Sequence, residues 1–307
     1  MNTIIFSLPG NEVLADQLTG GIGAERGELS MRQFPDGESY VRVISDVKGK
    51  QAIVVCTLHR PDEKLLPLMF LCRVLKDLGA ASVHLVAPYL SYMRQDTVFK
   101  PGEAVTSGYF AALLSSFSDS LITIDPHLHR RSSLQEIYTI PCQVLHASSL
   151  ISGWIKKHVK DPVLIGPDSE SEQWVSVVAH DADAPFTVLE KTRLGDADVR
   201  VTVPHMERYT ERTPVLVDDI ISTARTMIET VGHLKVLGLK APWCIGTHGV
   251  FAGRAYEDLV AAGAARVITC NTIPHASNAI DVSSLIVPVL DHLLKGQHLS
   301  TTDPTRP

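Results

Sequence analysis

Two adjacent carboxylates followed by a run of hydroxyls are the residues of this chain whose types and spacing most plainly suggest chemistry. Pro214-Val215-Leu216-Val217 reads as a buried strand. It runs into Asp218-Asp219, then Ile220-Ile221-Ser222-Thr223-Ala224-Arg225-Thr226, then a helix carrying Met227, Val231 and Leu234. Such a strand delivers its last residues to the sheet edge where open α/β folds bind ligands. Free backbone N–H groups and the positive end of the helix dipole favour a phosphate there. Ser222, Thr223 and Thr226 add hydroxyl donors, while Asp218 and Asp219 are acceptors for vicinal hydroxyls. A phosphate at one end and a diol at the other is the pattern of ribose 5-phosphate. Simple capping of the helix by Ser222 or Thr223 is the plainer explanation, but a cap leaves two acids directly after four apolar residues without a reason.

Elements able to position this loop recur along the chain. Short, continuous apolar runs at Ile4–Phe6, Ala52–Leu58, Val83–Ala87, Leu121–Ile124, Val163–Ile165, Val188-Leu189, Val215–Val217 and Arg266–Thr269 read as strands buried on both faces. Between them lie helical periods, such as Leu65, Leu68, Leu71, Leu75 and Leu78 along one face. Gly79, Gly238 and Gly263 stand where helices end and the next strand begins. Strand–helix alternation of this kind predicts α/β architecture with parallel sheets flanked by helices. The 307 residues suit about two domains. The reading places a first domain over 1–147 and a second over 148–299, with the division after the strand Val144-Leu145. The polar, Pro-containing tail 300–307 is expected to be disordered.

Composition narrows the function classes. The net charge is −6 with no long basic run, which removes the electrostatic footprint of a nucleic-acid binder. No apolar run approaches a membrane span and no signal peptide is visible, so a cytoplasmic protein without membrane partners is expected. The five cysteines are scattered and form no CxxC pair, as expected of reduced, buried thiols. There is no G-x-x-x-x-G-K-[ST], so any ATP is not held by a Walker loop. Gly21-Ile22-Gly23-Ala24-Glu25-Arg26 fails the dinucleotide fingerprint at its last position.

Further motifs are individually ambiguous. Phe34-Pro35-Asp36-Gly37-Glu38 has strong turn chemistry and by itself reads as a surface turn. Arg94-Gln95-Asp96 reads as a solvated loop, although the Arg94 fork suits a phosphate. His127 and His129, beside Arg130-Arg131, could be ordinary surface residues; so could Lys191 and Arg193. Tyr89, Tyr92 and His275 have no assigned role and read as packing or loop residues.

Taken in order, these segments resemble one family. Asp218–Thr226 is similar to the ribose-phosphate loop of type I phosphoribosyltransferases and of ribose-phosphate diphosphokinases (PRPP synthetases), and the rest of the chain selects the second. Phe34–Glu38 resembles that family's adenine-side motif, Tyr92-Met93-Arg94-Gln95-Asp96 its ATP-binding segment, and Ile124-Asp125-Pro126-His127 its metal-and-phosphate histidine region. Gly166-Pro167-Asp168 resembles its second-domain aspartate motif, and Glu190-Lys191-Thr192-Arg193 its catalytic arm.

The resemblance implies two phosphoribosyltransferase-like domains, each a mainly parallel sheet flanked by helices, and transfer of diphosphate from Mg·ATP to ribose 5-phosphate. It assigns Lys191 and Arg193 to catalysis, and Phe34, Asp36, Glu38, Arg94 and Gln95 to ATP. Asp218, Asp219, Ser222, Thr223, Ala224, Arg225 and Thr226 take ribose 5-phosphate. His127 and Asp168 take Mg²⁺, with Asp125 helping through water. The segment Thr192–Asp198 would be a mobile lid, and the protein a homo-oligomer, dimer or higher. Two departures stand out: the family's loop is Asp-Thr-Ala/Gly-Gly-Thr, whereas here Ser222 replaces the acid and Arg225 a glycine. A phosphoribosyltransferase consuming PRPP and a non-catalytic, regulatory PRPP synthetase-like subunit are the alternatives. The first leaves Phe34–Glu38 and Arg94-Gln95 unexplained, and retention of Lys191, Arg193, His127 and the paired acids argues against the second.

Overall fold

The apolar runs become the central strands of two six-stranded sheets. A computed structural model of the chain describes residues 2–128, 130–167, 171–193, 199–202 and 206–295. In chain order its elements are β1 (Thr3–Ser7), α1 (Glu12–Ile22), β2 (Glu25–Arg26), β3 (Leu29–Gln33), β4 (Ser39–Val43), β5 (Gln51–Val55), α2 (Pro61–Asp77), β6 (Ser82–Ala87), α3 (Thr106–Ser115), β7 (Ser120–Ile124) and β8 (Cys142–Leu145). They continue with α4 (Ser148–His158), β9 (Pro162–Gly166), α5 (Glu172–Asp181), β10 (Phe186–Val188), β11 (Glu190–Arg193), β12 (Val199–Thr202), β13 (Thr213–Ile221), α6 (Arg225–Val236), β14 (Trp243–Gly249), α7 (Ala255–Ala262), β15 (Arg266–Cys270), β16 (Asn278–Ile280) and α8 (Ser283–Leu294).

The chain falls into two units: residues 1–146 together with the C-terminal helix, and residues 147–282. The sequence reading carried the second domain on to residue 299. Instead α8 packs on α1, where Gly21 leaves the space occupied by Val287; a Cβ at Gly21 would lie 2.5 Å from its Cγ2.

In the first unit the strands run β2-β1-β5-β6-β7-β8, all parallel, and β3–β4 forms a separate antiparallel hairpin. All five residues of β1 and of β7 are buried, as continuous apolarity predicts for a strand covered on both faces. Leu68, Leu71, Cys72 and Leu75 supply the inner face of α2. Leu78 departs from the expected stripe: it lies past the last turn and is 47 % exposed. Gly79, Gly238 and Gly263 all adopt positive φ, which closes a helix at low steric cost.

The second unit orders its strands β10-β9-β13-β14-β15-β16, again parallel, with β11–β12 as a separate hairpin. The chain leaves β9 toward one edge and β13 toward the other, so the topological switch point lies between these two neighbours. Among the described residues no helix is long and apolar enough to cross a membrane. All five cysteines are buried and unpaired with one another.

Two histidines of the first unit make its stability pH-dependent. Burial, with Lys64 and Arg60 nearby, pushes His59 from its ordinary 6.5 down to about 4. Burial also lowers His84, which is held between Ser82 and Ser120 at 2.8 Å each. The unfolded chain therefore takes up these protons at a higher pH than the folded one. Their contribution to stability is full above the unfolded value of 6.5 and is lost as the pH falls toward 4. The urea midpoint should drop across that window, and His59→Gln should flatten the drop.

Candidate active site

β13 contains a notch. Pro214–Val217 are buried, Asp218 and Asp219 are half-exposed, and Ile220 and Ile221 are buried again. The strand was expected to end before the acids. It continues to Ile221 because β14 supplies partners there, with Asp218 opposite Gly246, Ile220 opposite His248 and Ile221 opposite Gly249. Gly246 makes room for this: a Cβ on it would stand 2.7 Å from the Ile221 side chain. The acids are thus strand residues at the carboxyl end of a central strand, not helical ones.

The chain then turns through Ser222 and Thr223 into α6. Ala224 adopts φ 56°, ψ 10° and precedes the helix without donating or accepting a side-chain cap bond. Neither Ser222 nor Thr223 takes the capping position that the plainer alternative required; Thr223 is exposed, and Ser222 and Thr226 are half-exposed. The N–H groups of the first helical turn lack intrahelical partners by construction, and the first helical bond closes only at Ile228 N–H to Ala224 O, 2.8 Å. Arg225 stands at the first helical position and is exposed, which settles how the chain tolerates a large residue there. The left-handed residue is Ala224, and Arg225 has ordinary helical backbone. A β-branched side chain at position 224 would be strained by its φ. Ala224→Val should therefore cost about 1–3 kcal/mol, read as a lower urea midpoint, whereas Ala224→Gly should retain stability.

Next to this loop, between β9 and β13, lies a small, largely apolar recess. Ile165, Gly166 and Pro167 form one wall, Leu216 and Val217 another, and Thr226, Met227 and Thr230 a third. It sits at the switch point of the sheet, the place where open α/β folds hold ligands. Gly166 is needed there, since a Cβ would meet Val175 at 2.7 Å and Ser171 Oγ at 3.0 Å. Asp168, which follows, lies outside the described residues, as do His129 and residues 194–198. Lys191 and Arg193 occupy alternate positions of β11, whose backbone pairs them with Val201 and Val199. The expected lid over 192–198 therefore begins inside a hairpin strand.

In the first unit, two expected segments are tied together. Arg94-Gln95-Asp96 follows β6, and His127 follows β7. Asp96 accepts a 3.0 Å ion pair from Arg130, and its carbonyl accepts from Arg131 at 3.3 Å. Gln95 is held by α3, its carbonyl accepting from Ser107 N–H at 3.3 Å. Arg94 is exposed. Asp125 is 8 % exposed at φ 36°, and its carboxylate lies 2.9 Å from His146 Nδ1. His146 was missed in the sequence, where nothing marks it. Phe34–Glu38 forms the tip of the β3–β4 hairpin, with Phe34 N–H donating to Glu38 O at 2.8 Å and Gly37 N–H to Phe34 O at 2.9 Å. The surface-turn reading is thus correct for the backbone. Arg32 stacks between Phe34 and Tyr40 at 4.4 and 4.5 Å. Tyr92 packs on Phe110 and donates from its hydroxyl to Asp62, in keeping with the packing role read for it.

Backbone strain marks the same edges of both sheets. Of the seven non-glycine residues with positive φ among those described, five follow the carboxyl ends of central strands: Arg60, Tyr92, Asp125, Ala224 and Phe251. Such residues persist only where the surroundings over-determine them, and they cluster at functional sites.

Comparison with known proteins agrees with this layout. A family model described as the N-terminal domain of ribose phosphate pyrophosphokinase matches residues 3–117, and one described as a phosphoribosyl transferase domain matches residues 133–285. A ribose-phosphate pyrophosphokinase of Methanothermobacter thermautotrophicus is 34 % identical over 263 residues, covering 85 % of this chain and 90 % of that protein. Ribose-phosphate pyrophosphokinase 2 of Archaeoglobus fulgidus is 34 % identical over 282 residues, covering 92 % and 98 %. The crystal structure of phosphoribosylpyrophosphate synthetase from Mycobacterium smegmatis superposes with a TM-score of 0.83 at 25 % identity, covering 96 % of this chain and all of that one. With two family models in the right order, relatives matched nearly end to end and a shared fold for both units, this chain belongs to the ribose-phosphate pyrophosphokinase family.

Proposed function

We propose that the chain transfers diphosphate from Mg·ATP to the 1-hydroxyl of ribose 5-phosphate, giving 5-phosphoribosyl 1-diphosphate (PRPP) and AMP. The observation that carries this reading is the half-exposed Asp218-Asp219 notch in a buried strand, followed at once by the uncapped first turn of α6 at the switch point. Asp218 and Asp219 accept from the ribose 2- and 3-hydroxyls, while the amides and hydroxyls of 222–226 hold the 5-phosphate. The 1-hydroxyl oxygen attacks the β-phosphorus of ATP. The bond from that phosphorus to the α,β-bridging oxygen breaks, AMP leaves with the bridging oxygen, and the hydroxyl proton is released. Such a transfer needs positioning and charge neutralisation rather than a covalent nucleophile. Lys191 and Arg193 supply cations to the oxygens that gain charge.

Arg94 and Gln95 bind ATP on the first unit. Phe34, Asp36 and Glu38 meet adenine from a hairpin tip whose ring is already backed by Arg32, which suits a face offered to a neighbouring copy in a homo-oligomer. Mg²⁺ takes oxygen ligands and keeps waters, leaning on substrate phosphates rather than on an all-protein cage. Among the described residues no three His, Cys, Asp or Glu side chains converge. Asp168 is the candidate oxygen ligand and His127 the candidate contact on the phosphate side. When bound, the ion neutralises charge on the transferring phosphates.

The test is AMP formation from ATP, Mg²⁺ and ribose 5-phosphate by the purified chain. Diphosphate release from PRPP with a nucleobase, and no AMP, would overturn the reading in favour of a phosphoribosyltransferase. Binding of both substrates without turnover would favour a regulatory subunit.

A further inference from the structure

Three aromatic rings meet beside the phosphate loop. Phe251, two residues past β14, packs against His275 at 4.5 Å and Tyr256 at 5.3 Å, and those two lie 4.8 Å apart. Phe251 also holds a left-handed backbone, φ 43°, which an aromatic residue adopts only under constraint. Its ring lies over Gly249, where an added Cβ would stand 2.6 Å away.

The constraint leads to the ribose-phosphate loop. Val250 N–H and Phe251 N–H both donate to Ile221 O at 3.0 Å, and Ala252 N–H donates to Ser222 O at 3.0 Å. The last residue of β13 and the first of the loop are therefore held by three consecutive amides whose direction is set by the turn at Phe251. On the other side His275 is fixed to the sheet. Its N–H donates to Asn278 Oδ1 at 2.9 Å and its Nδ1 accepts from Ser277 N–H at 3.1 Å. Asn278 Nδ2 in turn donates to Thr269 Oγ1 and Cys270 O at 2.9 Å each. A simple packing cluster would need neither the strained turn nor the three amides.

We infer that Phe251, clamped by Tyr256 and His275, is a positioning residue for the ribose 5-phosphate loop, an inference that rests on the reading of 222–226 as that loop. It transmits the rigidity of β15 and β16 to the carbonyls of Ile221 and Ser222. Misplacing a substrate-holding loop by a fraction of an ångström weakens binding without touching the substrate.

Phe251→Gly isolates the ring, because glycine adopts φ near +43° freely and so keeps the turn. Calorimetric titration of the full chain should show the Kd for ribose 5-phosphate raised roughly ten-fold, with the Kd for ATP little changed although the lost packing lowers the thermal midpoint, and Phe251→Tyr should restore wild-type affinity. An unchanged Kd for ribose 5-phosphate would overturn the inference, as would equal weakening of both ligands. If Phe251→Gly does not fold, His275→Ala is read by the same split. A wild-type chain that binds ribose 5-phosphate without forming AMP overturns the synthase reading alone, since the same Kd comparison still decides the brace. One that does not bind it overturns both.

Discussion

Lys191→Ala is expected to lower kcat by about 10²–10³ while leaving the KM for ribose 5-phosphate within roughly threefold of wild type. The attack on the β-phosphorus builds charge on the bridging oxygen that departs with AMP. A cation aimed at that oxygen acts on the transition state and hardly on the bound sugar, so its removal appears in kcat. Lys191 lies in β11, a two-stranded hairpin separate from the sheet that carries Asp218 and the phosphate loop. Substitution there should leave the sugar subsite intact. Steady-state kinetics with ribose 5-phosphate varied at saturating Mg·ATP check this. Equal losses in kcat and in sugar affinity would contradict a transition-state role.

The double variant Asp218→Asn/Asp219→Asn should show the converse. Each carboxylate that accepts from a ribose hydroxyl is worth about 1.5–3 kcal/mol, so removing both charges should reduce kcat/KM for ribose 5-phosphate by about 10²–10⁴. KM for ATP should move far less. Discrimination supplies a second readout. A site built to bond sugar hydroxyls rejects an analogue lacking one, so the wild type should prefer ribose 5-phosphate to 2-deoxyribose 5-phosphate, and the double variant should lose most of that preference. A variant with normal sugar kinetics would remove the notch from the active site.

Much of the loop's local structure was legible in the sequence. The apolar run before Asp218, the hydroxyls after it and the helical period from Met227 are short-range signals, and they placed the loop at a strand's carboxyl end. The glycines at 79, 238 and 263 likewise announce helix ends, because a left-handed residue is a local demand. The hairpin strands β3 and β4 and the strand β14 were not read. Trp243-Cys244-Ile245-Gly246-Thr247-His248-Gly249 mixes polar residues and glycine, and it is a strand because β13 and β15 pair with it on both sides.

The sequence by itself determined which groups could hold a sugar phosphate and that they share one loop, since side-chain chemistry and the propensities of neighbouring residues act over a few positions. Folding at long range decided the rest: that β13 runs on through the acids to Ile221, that α8 returns to the first unit, that Asp125 meets His146, and that Phe251 packs between Tyr256 and His275. Each of these joins residues far enough apart in the chain that only closure of the intervening segments, and the burial that compensates its entropy, brings them into contact.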